Sequence, residues 1–279
     1  MATGFYSHPD CLQHDNGQWH PECPARLQAI EDQLIASRID ALIEREEVPL
    51  AEEAELARVH TQAHIDYIKS RTPEHGCREL DPDTSMCPSR TAPHCALRAR
   101  RSRPPMRSSK AATRMRSAAC ARPAITRSPR AMGFCLFNNV AIAVRHALEV
   151  HGLQHVAIVD FDVHHGNGTE AAFSGDSRVL MCSFFQHPFY PFSGADNHAS
   201  NMVNVPLPAR TKGAGARGRR HGVAAAARGV QAADDLRVRG LRCASRGQHG
   251  QHGARGGRLR VDYRAGSAGW RSAMRRAAS

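Results

Sequence analysis

Three stretches of the chain carry a helical rhythm of apolar and polar positions, and three carry the denser apolar runs of strands. From Pro24, PARLQAIEDQLIAS sets Leu27, Ile30 and Leu34 at helical spacing, with the proline at a favourable first-turn position. The run HTQAHIDYIK predicts a second helix over roughly 61–69, with Thr61 as its cap and Ile65 and Ile68 on a shared face. In GFCLFNNVAIAVRHALEVHG, Asn138 or Asn139 caps an apolar helix that runs to about Val150, and Gly152 stops it. A continuous β-rich run, His155 to Val159, follows at once. Helix followed by a strand apolar on both faces is the pattern of a parallel sheet covered on both sides. Further strands are predicted over 179–184 and 202–205.

The 279 residues suffice for a large domain with a sizeable core. The opening MATGFYSHPDCLQHD lacks the basic-then-apolar order of a secretory signal, and no run approaches the roughly 20 apolar residues of a membrane span, so a cytoplasmic protein that does not enter the membrane is expected. Nine cysteines without CxxC spacing point to reduced, structural cysteine.

A net charge of +12 suggests a nucleic-acid partner until its distribution is followed along the chain. Residues 89–130 hold 11 Arg and 1 Lys with no acid, and residues 213–279 hold 15 Arg against 3 Asp. Each block carries +12, which leaves an acidic remainder of −12. Neither block shows helical or strand periodicity, and neither is expected to bury a core.

The densest chemistry is VDFDVHHGNGT, from Val159 to Thr169. If the strand continues through it, alternation points Asp160, Asp162 and His164 to one side and Phe161 and Val163 to the other. Functional groups gather at the carboxyl ends of parallel strands, where this motif stands, and GNG permits a tight turn into TEAAF. Carboxylate with imidazole suits zinc or another divalent ion.

Together, VAIVDFDVHHGNGTE, GFCLFNNVAIA and the N-terminal HPECPARL resemble the histone deacetylase superfamily, over roughly residues 1–88 and 131–212. The resemblance implies an α/β, arginase/deacetylase-like fold with a parallel sheet flanked by helices, here incomplete at the C-terminus. It implies one zinc ion per site under Asp-His-Asp ligation, with Asp162 and His164 matching two of the ligands. Zinc-bound water would attack the amide of an acetylated amine, such as acetyl-lysine or acetylpolyamine. A histidine pair would move protons and a tyrosine would hold the oxyanion. Asp160, His165 and Asn167 would stand behind the ligands, Asp160 orienting one catalytic histidine and Asn167 supporting the other. Asp160, with main-chain oxygens near Asp162, His164, Ser183 and Phe184, would hold a monovalent cation such as K+. Gly133, Phe134 and Tyr190 match the narrow substrate tunnel, and Arg26 matches an arginine behind the site.

The chain departs from this pattern at its two Arg-rich blocks. The family's RPPGHHAE-like segment is replaced by CARPAITRSPRAMGFC, so both catalytic histidines are missing, and no SAGFDA-like third-ligand segment or Gly-Gly-Tyr follows. A shifted reading frame accounts for this. Cys120 to Pro129 can be encoded TGC GCC CGC CCG GCC ATC ACG CGG AGC CCN, which from its third base reads RPPGHHAEP. Asp234 to Cys243 can be encoded GAT GAT CTT CGT GTC CGC GGG CTT CGA TGC G, which from its second base reads MIFVSAGFDA. The chain then divides into a deacetylase-like domain over 1–212, interrupted by an out-of-frame segment 89–130, and an out-of-frame, disordered tail over 213–279. As written it is expected to be impaired. Two alternatives stand beside this: a catalytically dead metal-binding scaffold, and nucleic-acid binding through the arginines, against which the lack of interleaved aromatics argues.

Overall fold

The computed structural model describes residues 3–13, 20, 23–47, 49–87, 114–118, 131–160, 162–197, 199–211 and 236–241, and of 3, 4, 10, 46, 114–118 and 236–241 the backbone alone. In chain order the strands are β1 (Thr3–Ser7), β2 (Ile43–Glu47), β3 (Arg78–Asp81), β4 (Thr84–Met86), β5 (Arg114–Ala118), β6 (Val156–Asp160), β7 (Val179–Gln186), β8 (Met202–Leu207) and β9 (Leu236–Leu241). The helices are α1 (Pro24–Ala36), α2 (Glu53–Leu56), α3 (Gln62–Arg71), α4 (Asn139–Glu149) and α5 (Asn167–Phe173). Seven strands form one sheet in the order β2-β1-β5-β9-β6-β7-β8, and every pairing in it is parallel. The pair β3–β4 makes a separate antiparallel hairpin.

The apolar rhythm accounts for the elements next to the motif. Along α1, Ile30 and Leu34 are buried with Phe5 of β1. Thr61 caps α3 by accepting the amide of His64 at 3.3 Å, and Ile65 and Ile68 are fully buried. Helix α4 packs Val140, Val144, Ala147 and Leu148 against Val156 and Ile158 of β6 and Val179 and Met181 of β7. Strand β7 is buried on both faces, as a central parallel strand should be.

The open choice of cap at α4 resolves to Asn138, whose Oδ1 accepts the amide of Ala141 at 2.9 Å. Its Nδ2 donates to Thr169 Oγ1 at 3.1 Å, which ties the start of α4 to α5. His60 accepts the Asn138 amide through Nε2 at 3.1 Å. Burial first, then the neighbouring His64, pushes the His60 pKa down to about 3, so the ring stays neutral and able to accept. Asn138→Ala removes both a cap and a buried hydrogen bond and is expected to cost about 1–3 kcal/mol. Urea denaturation measures it, and a loss under about 0.5 kcal/mol would contradict the capping role. Gly152, at φ +64, ends the segment as expected.

A short stretch of each Arg-rich block forms a strand, β5 and β9, and these lie side by side in the middle of the sheet. One expectation is corrected: cysteine is not uniformly reduced, since Cys11 is disulfide-bonded, while Cys23, Cys77, Cys87, Cys135 and Cys182 are in no disulfide. No helix among the described residues is long and apolar enough to cross a membrane.

Candidate active site

Strand β6 stops at Asp160, so the convergence of the motif does not come from strand alternation. It comes from two successive side-chain turns. Asp160 Oδ1 accepts the amide of Asp162 at 3.0 Å, and Asp162 Oδ1 accepts the amide of His164 at 2.7 Å. Each aspartate captures the backbone two residues on, which curls the chain at the strand end and brings the alternate side chains together. Phe161, assigned to the opposite side, lies outside the described residues. Gly166 then passes so close that a Cβ there would stand 2.7 Å from Asp160 Oδ2, before α5 begins at Asn167.

His164 Nδ1 lies 3.1 Å from Asp162 Oδ1. That is near the roughly 3.3 Å edge of a tetrahedron with bonds of about 2.0 Å, the zinc geometry for nitrogen and oxygen donors. The pair therefore fits two corners of a zinc site in donor type and in spacing. Among the described residues no group of three or more His, Cys, Asp or Glu side chains is placed to hold a metal ion. A catalytic zinc takes three protein ligands, so the fit stops one short. Burial, then the charge of Asp162, raises the pKa of the Asp160 carboxyl well above its ordinary value.

Behind the ligand pair the geometry is tight. His165 is 4% exposed, with Nε2 3.1 Å from Glu170 Oε2, Nδ1 3.4 Å from Ser183 Oγ and its ring 4.5 Å from that of Phe185. Burial works against charge on Glu170, yet the nearby His165 imidazole and a hydrogen bond from Asn204 outweigh it and hold its pKa below the ordinary carboxylate value. Asn204 also donates to the Gly194 carbonyl at 2.8 Å. Sequence reasoning missed Glu170, Gly194 and Asn204; the GNGTE run held the signal for the first alone. Asn167, matched to the support of an absent histidine, lies with Nδ2 3.9 Å from Met132 Sδ. Asp160 and Ser183, assigned to a monovalent cation with Asp162, His164 and Phe184, are register partners in the β6–β7 ladder.

Of the residues assigned to the tunnel, Gly133 and Tyr190 lie close together. Gly133 and Phe134 are consecutive left-handed residues at φ +61 and +68. Their amides donate to Asp83 Oδ1 and Thr84 Oγ1, each at 3.0 Å, at the turn of the β3–β4 hairpin. A Cβ on Gly133 would lie 3.7 Å from Tyr190 Cε1. Burial, then the charge of Asp83, raises the Tyr190 pKa, keeping the phenol neutral. The His164 ring stacks on Phe189 at 4.9 Å and meets Tyr190 edge-on at 6.3 Å, so one aromatic wall adjoins the candidate ligand. Arg26 is half-buried in the first turn of α1; its assignment behind the site stays with the resemblance.

Comparison with known proteins bears on this arrangement. The family model described as the histone deacetylase domain matches residues 20–224. The chain is 37% identical over 218 residues to an uncharacterised protein of Synechocystis, covering 74% of this chain and 69% of the relative. It is 31% identical over 226 residues to a probable deacetylase of Archaeoglobus fulgidus, covering 76% of this chain and 60% of that one. It is 35% identical over 219 residues to a rat protein named polyamine deacetylase HDAC10, covering 70% and 36%. The chain thus spans less than two thirds of the length of the latter two. Among solved structures, the HDA15 HD domain superposes with a TM-score of 0.64 at 24% identity, covering 85% of this chain and 72% of that one, a likeness of fold.

Proposed function

Because the chain belongs to the histone deacetylase family of hydrolases, we propose that its gene specifies a zinc-dependent, cytoplasmic deacetylase acting on acetylated amines such as acetyl-lysine or acetylpolyamine, and that two frame shifts interrupt it. The observation that carries the reading is the Asp162–His164 pair, two zinc donors at the spacing of adjacent ligands beside an aromatic wall. When bound there, zinc would acidify a water and polarise an amide carbonyl. The chain's own part is to hold the Asp162 and His164 side chains in place, with Asp160 and His165 packed behind them. A monovalent cation at Asp160 and the main chain near Asp162, His164, Ser183 and Phe184 belongs to the same reading.

Register supports the frame-shift account. Strand β9 pairs with β6 so that Gly240 stands opposite Asp160. The aspartate of the alternate-frame MIFVSAGFDA falls at position 242, two residues after Gly240, just as the ligand Asp162 falls two residues after Asp160. The two aspartates thus stand at the same spacing along the sequence from a matched pair of residues in the ladder.

For the chain exactly as written, the lack of a third donor among the described residues favours a non-catalytic, weakly metal-binding protein. Zinc content and hydrolysis of an acetyl-lysine peptide and an acetylated polyamine should be measured on this chain and on one with both frames restored. The restored chain is expected to retain one zinc per chain through dialysis and to turn over at least one substrate, and the written chain to do neither. Robust hydrolysis by the written chain, or gene codons unable to spell the two recovered motifs, would overturn the reading.

A further inference from the structure

We propose that Cys77 and Cys87 are an oxidation site, forming a reversible disulfide across the stem of the β3–β4 hairpin. The ladder pairs Arg78 with Met86 and Glu79 with Ser85, so one step outward sets Cys77 opposite Cys87. Their sulfurs are 2.8 Å apart and neither is in a disulfide. A bond of about 2.05 Å needs an approach of about 0.8 Å, within side-chain rotation of a directly opposed antiparallel pair.

The two thiols are unequal in a way that orders the chemistry. Cys77 is exposed and can meet a solution oxidant, whereas Cys87 is buried and adjoins Met86, which packs into the core with Ile65, Ile68 and Phe137. With hydrogen peroxide as the two-electron oxidant, the Cys77 sulfur attacks one peroxide oxygen. The O–O bond breaks, giving Cys77 sulfenic acid and one water. The Cys87 sulfur then displaces that oxygen as a second water, losing its proton as the S–S bond forms. Two thiols and one peroxide become one disulfide and two waters; a dithiol reductant reverses it.

The placement gives the bond a consequence. Strand β4 is anchored in the core, while Arg78 and Glu79 of β3 are exposed and the ladder between the strands shifts register between Glu79 and Asp81. The disulfide ties the loose strand to the anchored one. The turn between them carries Asp83 and Thr84, which hold the amides of Gly133 and Phe134.

The test uses the full chain, reduced, treated with hydrogen peroxide, alkylated and digested with trypsin without reductant. Cleavage after Arg71, Arg78 and Arg90 separates the cysteines into peptides 72–78 and 79–90. The expected product is these two peptides covalently joined, lighter by two hydrogens than their sum and released by dithiothreitol. Cys77→Ser and Cys87→Ser should each abolish it. Recovery of peptide 79–90 alkylated while Cys77 carries oxygen or is joined to a different cysteine would overturn the proposal, and so would a linked species that persists in either variant.

Discussion

Alanine at position 194 is expected to destabilise the fold by about 2–6 kcal/mol, read as a lowered urea midpoint at unchanged slope. The added Cβ would stand 2.5 Å from both Cδ2 and Nε2 of His165 and 2.7 Å from Cε1. The ring has nowhere to go, because Phe185, Glu170 and Ser183 enclose it. Overfilling such a site costs about 1–3 kcal/mol, and an L side chain at φ +91 adds about 1–3 kcal/mol of backbone strain. Gly175 separates the two contributions, since it sits at φ +84 with nothing within 4 Å of its own Cβ position. Gly175→Ala should show the strain alone. Equal losses at the two positions would show that the contact with His165 contributes nothing.

The second large effect is expected at Glu170. Its alanine variant leaves His165 buried without its carboxylate and takes an acceptor from Asn204. Taking the partner from a buried polar group costs about 1–3 kcal/mol. The acid dependence has a definite sign. The folded pKa of Glu170 lies below its ordinary value of 4.5. Its contribution to stability is therefore present above that value and is lost as pH falls through the folded pKa. The stability gap between the wild-type chain and Glu170→Gln should be widest near neutral pH and should shrink below pH 4.5. A gap that widens in acid would refute this assignment.

The legible parts of the fold were those where burial imposes a period. Helices α1, α3 and α4 and strands β6, β7 and β8 each press an apolar face or both faces on a core, and their sequences repeat accordingly. Strand β2 reads IEREE at a sheet edge, where charge discourages further pairing and erases the apolar alternation. Strands β5 and β9 read RMRSA and LRVRGL, unlike the apolar runs of central parallel strands, and pattern reading passed over them. The site followed the same division. Asp160, Asp162 and His164 were legible because they lie within five consecutive positions. Asn204 reaches Glu170, and Gly194 reaches His165, from sequence-distant segments, and only folding shows that they meet. Side-chain turns after the strand, which no periodicity announces, set Asp160, Asp162 and His164 beside one another.

The strand order also sets a timetable for assembly on the ribosome. The group β2-β1-β5 can close once the chain has passed residue 118, and β6-β7-β8 once it has passed 207, but β9, which joins them, comes last of all the strands. Until it emerges, β5 and β6 each present an unpaired parallel edge to solvent, the kind of surface on which neighbouring nascent chains pair with one another. At synthesis rates of roughly 5–20 residues per second, the β6 edge waits on the order of ten seconds, a natural interval for a chaperone to act.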